Sequence, residues 1–266
     1  MTLEDSSEDQ TGYIIGGTPA ADGRGGCFYL EHGSLVMNGG TIGPSAGGGG
    51  IYVKYKDSSF VMHGGRITKN KASAVSVWQG SVRMTGGEIT GNSADHGGGI
   101  YAWGSANINI EGGKITGNTA ACGGGIRIRD HAVCHISSGE ISGNTTTNAS
   151  SSWGGGGIGV SWASLYVTGG VITDNTTSGM GGGIRAEDRG IVSVTGGTIY
   201  GNQWSFGNSD VYAVKGVNLT LLSASSMKPE AYNCWYDCEN DQVYTEEIGA
   251  ASLEQPCNLY AWYKEE

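Results

Sequence analysis

The sequence predicts an all-β chain whose body, residues 13–225, is a right-handed parallel β-helix of about eight coils, followed by a small β-rich cap. Three observations carry this. A glycine-led strand start recurs as Gly48-Gly49-Gly50-Ile51, Gly97-Gly98-Gly99-Ile100, Gly123-Gly124-Gly125-Ile126, Gly155-Gly156-Gly157-Ile158 and Gly181-Gly182-Gly183-Ile184, with weaker copies at Phe28, Val75 and Val211. A second signature, Gly-Gly-x-Ile, ends at Ile42, Ile67, Ile89, Ile115, Ile172 and Ile199, with a Ser-Gly variant at Ile141. Between these marks the pattern has period 2, so Ile100 and Ala102 fall on one side of a strand and Tyr101 and Trp103 on the other. Strand starts from Ile51 through Val75 to Ile184 lie 24, 25, 26, 32 and 26 residues apart, which suits coils of two or three short strands.

Each element of a coil has its own file. Leu35, Phe60, Val82, Ile108, Cys134, Leu165 and Val192 superpose in one interior column, and Met37, Met62, Met84, Ile110, Ile136, Val167 and Val194 in the next. One coil cannot bury such side chains alone. Stacking at about 4.8 Å per coil builds a continuous core, about 38 Å long for eight coils. Three residues after the isoleucines stand Asn70, Asn92, Asn118, Asn144, Asn175 and Asn202, the pattern of an amide ladder at a turn. The residue before them reads Arg66, Glu88, Lys114 and Glu140 in successive coils, alternating charge on a solvated face. Glycines mark turns needing positive φ or close backbone approach.

The ends differ from the body. Residues 1–12 carry four acids and no base and read as an acidic tail, and residues 226–266 form an acidic, aromatic-rich cap or mini-domain with nine acids against two lysines from Met227 onward. The body is near neutral, so no basic track for nucleic acid exists. No apolar run is long enough to span a bilayer and no secretory leader pattern stands at the N-terminus, so any leader or anchor is expected outside this chain. Among six cysteines, Cys134 sits in the interior column, Cys27 takes the place of a repeat glycine, and Cys122 precedes a strand. Cys234, Cys238 and Cys257 form the one cluster, readable as free thiols or a cap disulfide. Three thiols without a histidine make a poor zinc site, and neither metal nor cofactor is expected.

Gly-Gly-Gly-Ile followed by Ile-Thr-Gly-Asn resembles the repeats of bacterial adhesin-like β-helices in the pectate-lyase-like superfamily. It is similar to chlamydial polymorphic membrane protein repeats and to surface β-helices of gut Firmicutes. The resemblance covers about four fifths of the chain and implies a secreted or cell-surface domain of a larger microbial protein. The fold hosts adhesins, lyases, hydrolases and passive stalks, so function must be read from a site.

The outward positions after each strand start are the candidate. Tyr52, Tyr55, Trp78, Tyr101 and Trp103 make an aromatic half, while Arg127, Arg129, Trp162, Arg185 and Glu187 make an arginine-rich half. Flat rings suit the apolar faces of sugars and arginines suit carboxylated or sulfated ones, so a polysaccharide or host glycan is the expected partner. The alternative is structural, with aromatics supporting an exposed sheet by cross-strand contact. A catalytic reading uses Asp130 and Asp188, two coils and about 9–10 Å apart, as an inverting carboxylate pair acting on an acidic polysaccharide. His131 would assist in binding, and Gly159 would leave the centre open. Against it stands a solvated charge cluster at turns, and the aspartate clusters of calcium-dependent lyases and polygalacturonase-like enzymes are absent. Asp95-His96 is expected in a turn without a partner. Ice binding is rejected because only one threonine column exists, Thr68, Thr90, Thr116 and Thr173 with Ser142. A long insertion at 145–153, tipped by Trp153, reads as a tolerated loop or a contact element. The adopted reading is a glycan-binding surface domain; the alternatives are the polysaccharide-acting enzyme and an inert stalk.

Overall fold

The computed structural model describes residues 1–3, 12–15, 26–45, 47–150, 154–227 and 232–262. The chain is a parallel β-solenoid with three sheets running along one axis. The glycine-led sheet stacks Phe28–Leu30, Ile51–Val53, Val75–Trp78, Ile100–Trp103, Ile126–Arg129, Ile158–Ser161, Ile184–Glu187 and Val211–Ala213 in parallel, one strand per coil. The long sheet carries ten-residue strands in the middle coils, from Asn107–Thr116 to Ile191–Tyr200. A short sheet of Ser93–His96, Thr119–Cys122, Thr145–Thr146, Thr176–Thr177 and Gln203–Trp204, edged by Gly207–Asn208, closes the later coils before the next strand start. Trp153 lies outside the described residues.

The predicted files form with the predicted register. Leu35, Phe60, Val82, Ile108, Cys134, Leu165 and Val192 are paired in succession, and every one is buried. The expected charge file resolves into two ion pairs, Arg66–Glu88 at 2.7 Å and Lys114–Glu140 at 2.9 Å. Both are largely exposed, so they favour the register without contributing much stability.

The asparagine ladder is the most constrained feature. Asn70, Asn92, Asn118, Asn144, Asn175 and Asn202 are all buried, and each of the first five donates its Nδ2–H and its backbone N–H to the Oδ1 of the next, at 2.9–3.1 Å. The next coil's backbone and the ladder together explain the third glycine of the strand-start motif: a Cβ at Gly125, Gly157 or Gly183 would lie 2.7, 2.7 or 2.4 Å from the carbonyl oxygen of Gly157, Gly183 or Asp210. It would also lie 2.9–3.0 Å from the amide nitrogen of Asn144, Asn175 or Asn202. In the last coil that glycine position is Asp210, whose Oδ1 accepts from Asn202 and whose Oδ2 accepts from the Ala261 amide of the cap. An acceptor-only side chain thus terminates a directional run of donors. Burial pushes this carboxyl up to about 6, against the pull of its three N–H donors.

The cap covers the open end of the solenoid. Cys257–Trp262 runs antiparallel to Val211–Ala213 and Cys234–Asp237, and Ile248–Ser252 runs antiparallel to Asn218–Leu221, so both sheet edges are paired. Trp235 is fully buried there and donates Nε1–H to the Leu222 carbonyl at 2.9 Å. At the other end Thr2–Leu3 pairs in parallel with Val36–Met37 on the edge of the long sheet; residues 4–11 lie outside the described residues. None of the six cysteines is in a disulfide. Among the described residues no helix is long and apolar enough to cross a membrane.

Candidate functional site

The glycine-led sheet faces away from the core along the file Tyr29, Tyr52, Ser76, Tyr101, Arg127, Gly159, Arg185 and Tyr212. The sequence places this file on open surface, and here the structure corrects it. Tyr52, Arg127, Arg185 and Glu187 are buried, at 9% exposure or less. Tyr52 is covered by the rings of Tyr29 at 5.0 Å and Trp103 at 6.0 Å, and the middle coils are covered from the first glycine of each run. Gly97, Gly123, Gly155 and Gly181 have φ between +51° and +74°, a left-handed geometry that folds the preceding residues back across the strand that follows. The resulting lip is close: a Cβ on Gly154 would lie 2.9 Å from Cδ of Arg185. His96 stands on the lip and packs, tilted by 34°, against Tyr101 with ring centroids 5.2 Å apart. Asp95-His96 therefore ends a strand of the short sheet and does not lie in an unpartnered turn.

In the early coils the groove beside the lip is aromatic. Tyr52 stacks on Trp103 at 6.0 Å, reaching past the small side chain of Ser76, and Tyr101 stacks on Trp103 at 4.6 Å. Tyr55 tilts against Trp78 at 5.7 Å, and the Trp78 ring lies against Gly104, where no Cβ would fit. Lys54 bridges the edge of the cluster, 4.7 Å from the Tyr55 ring centroid and 2.7 Å from Glu31, whose carboxylate holds the ammonium well above its usual pKa. Tyr55, Trp78, Tyr101 and Trp103 are half-buried, each presenting part of its ring to the groove.

The middle coils turn the groove into a cleft of about 400 Å³ lined by His96, Cys122, Arg127, Arg129, Ser161, Glu187 and Asp188. Glu187 receives Arg127 on one oxygen at 2.9 Å and Arg185 on the other at 3.1 Å, although Arg127 lies two coils away. Gly159 makes that reach possible. A Cβ there would lie 2.9 Å from Nη1 of Arg127, so the position expected to leave the centre open is filled by a guanidinium. Burial and the charges of Arg127 and Arg129 lower the His96 pKa, and burial raises that of the Cys122 thiol. His96 and Cys122 escaped the sequence reading as site residues, whereas Ser161 stands in the outward file between Arg129 and Glu187. The signal was the residue before each glycine run, an interior-looking position that the lip carries to the outside.

The structure distributes the residues of the catalytic reading. Asp130 and Asp188 both sit at left-handed turns, with Trp162 between them in the stack. Asp130 is paired with Arg129 at 2.8 Å, and Asp188 accepts from Ser161 Oγ at 2.7 Å. His131 opens onto a separate recess of about 410 Å³ with Trp162, Ala163, Ser164, Arg189 and Ile191. There Trp162 is 48% exposed, with Arg189 5.4 Å over its ring. Asp188 and His131 thus line different openings. Among the described residues no three His, Cys, Asp or Glu side chains gather as a metal site. No protein-family model, curated protein or solved structure matches this chain.

Proposed function

We propose that this chain is the β-helix domain of a secreted or surface-displayed, adhesin-like microbial protein, and that it binds glycans along the groove beside the glycine-led sheet. The observation that carries the reading is the adjacency of the ring cluster to the cleft, since His96, which lines the cleft, packs on Tyr101 with ring centroids 5.2 Å apart. Half-buried rings of Tyr55, Trp78, Tyr101 and Trp103 lie beside a polar cleft on the same rigid stack. Rings fixed by their neighbours offer apolar faces with little ordering cost, while the polar cleft supplies hydrogen-bonding groups. The likeness of the repeats to pectate-lyase-like adhesins supports the setting. The divergence of His131 from Asp188, and the engagement of Asp130 by Arg129, favour binding without turnover.

The test is binding to a panel of neutral and acidic polysaccharides, with Trp78→Ala and Trp103→Ala compared against the unaltered chain. Each truncation is expected to weaken binding about 3- to 10-fold, matching about 0.5–1.5 kcal/mol per ring contact. Unchanged binding removes the groove from consideration, and no binding to any glycan leaves the stalk reading. New reducing ends or unsaturated products, lost in Asp130→Asn and Asp188→Asn, would replace the binding reading with the enzymatic one.

A further inference from the structure

The short sheet ends on aromatic rings. One of its files runs Ala120, Thr146, Thr177 and then Trp204, so a large ring follows three small buried side chains. There the strand meets no further coil and turns back as an antiparallel hairpin, Gln203–Trp204 with Gly207–Asn208. Phe206 at the hairpin tip is 84% exposed, and its ring meets that of Trp204 at 5.0 Å between centroids, with planes 70° apart. The two rings form a corner. The cap supplies the facing side, and a recess of about 520 Å³ opens with Trp204, Phe206, Asn208, Cys238, Glu239 and Tyr260 among its walls. Its parts are tied together: Ser209 Oγ, at the base of the hairpin, donates to Asn258 Oδ1 at 2.6 Å, and the Cys238 amide donates to the Asn258 carbonyl at 3.0 Å. Buried Asp237 accepts from the amides of Glu239 and Asn258, at 3.1 and 3.0 Å. The charge is one-sided. Residues 232–262 hold the acids Asp237, Glu239, Asp241, Glu246, Glu247 and Glu254 and no lysine or arginine. Glu239 is exposed, and its carboxylate has no hydrogen-bond or ion-pair partner among the described residues.

We infer that this recess binds a trimethylammonium group, the cation of choline. Three rings and one carboxylate are the chemistry that holds such a group: its charge is drawn to ring faces and to Glu239, and its methyl groups displace water from the rings. It carries no N–H, so it leaves no donor unsatisfied where acceptors are few. A primary ammonium is strongly hydrated and would lose that hydration for a single carboxylate. A hard metal ion needs several oxygen ligands, and the recess offers one acid. The site stands apart from the glycan reading, whose rings belong to the earlier coils at Tyr55, Trp78, Tyr101 and Trp103.

The experiment is calorimetric titration of the whole chain with choline chloride at fixed ionic strength, beside ethanolamine and dimethylbutanol, the uncharged analogue of choline with carbon in place of nitrogen. Choline is expected to bind saturably, and about tenfold more tightly than either comparison compound. Phe206→Ala removes an exposed ring on which no core packing depends, and it should weaken choline about threefold, as should Glu239→Gln. Sedimentation with phosphatidylcholine vesicles, against phosphatidylglycerol vesicles, separates the two sources of the group. Capture by the former alone makes the ligand a lipid headgroup; choline binding without capture makes it a soluble or polymer-borne one. No saturable choline binding, equal binding of dimethylbutanol, or full retention of choline binding in both variants overturns the inference. Choline binding lost in Trp78→Ala but kept in Phe206→Ala overturns it as well, because the cation then sits among the rings of the earlier coils.

Discussion

Replacing Asn144 by alanine probes the ladder at its centre. Its side chain donates to the Ile115 carbonyl at 2.8 Å and to Asn175 Oδ1 at 2.9 Å, and its Oδ1 accepts from both the amide and the side chain of Asn118 at 3.0 Å. Four buried hydrogen bonds at about 1 kcal/mol each give a loss of about 4 kcal/mol. Asn70 stands at the ladder's start, where Oδ1 has no hydrogen-bond partner among the described residues and Nδ2 donates to Asn92 Oδ1 and, at 3.3 Å, to the Thr68 carbonyl. Asn70→Ala should therefore cost about 2 kcal/mol, half as much, although both residues are buried. Guanidinium unfolding followed by tryptophan fluorescence measures both variants, and amide exchange at Asn118 reports the orphaned donor directly. Equal losses in the two variants, or a loss below about 2 kcal/mol in Asn144→Ala, would refute the directional ladder.

Three further predictions follow from the same geometry. Asp210 titrates near 6 in the folded chain against an ordinary value of 3.8, so its contribution is greatest below about pH 4 and is lost as pH rises through 6. Between those limits the unaltered chain should lose about 3 kcal/mol relative to Asp210→Asn, read as a difference in unfolding midpoints against pH. Gly157→Ala places a Cβ 2.7 Å from the Gly183 carbonyl oxygen and 3.0 Å from Asn175 Nδ2, and should cost about 3 kcal/mol in denaturant unfolding. Gly249→Ala, which meets nothing within 4 Å, should stay within about 0.5 kcal/mol. Gly159→Ala crowds Arg127 against its bond to Glu187 and should destabilise by about 1–3 kcal/mol, read by denaturant unfolding.

The stack was legible because its constraints repeat. Ile89, Ile115 and Ile141 meet one another through identical neighbours, so a period in sequence becomes a file in space. The amide ladder and the charge file Arg66, Glu88, Lys114 and Glu140 were legible for the same reason. The groove was not. Period-2 alternation tells which side of a sheet Arg127 and Arg185 occupy, but says nothing of what lies beyond that side. The lip depends on the φ of Gly97, Gly123, Gly155 and Gly181, which is a property of turns and not of strands. A signal was nonetheless present, in the order Arg127, Gly159, Arg185 down one file with Glu187 beside it. A bare glycine between two arginines and next to an acid is what a buried, leaning ion pair requires. Asp210 was missed because its role appears only where the repeat ends and no further asparagine fills the space above the glycine position.

The axial stacking of equivalent residues can be measured in solution with pairs of spin labels in a Cys27→Ser, Cys238→Ser background. Arg83, Asn109, His135, Tyr166, Ser193 and Thr220 are successive partners on the outer side of the long sheet. With one label at Arg83 and the second moved from Tyr166 to Ser193 to Thr220, backbone separations should rise through about 14, 19 and 24 Å. The step is the same for each move and independent of the residues skipped in sequence. Separations that do not climb by about 5 Å per coil would mean that these segments are not rungs of one stack.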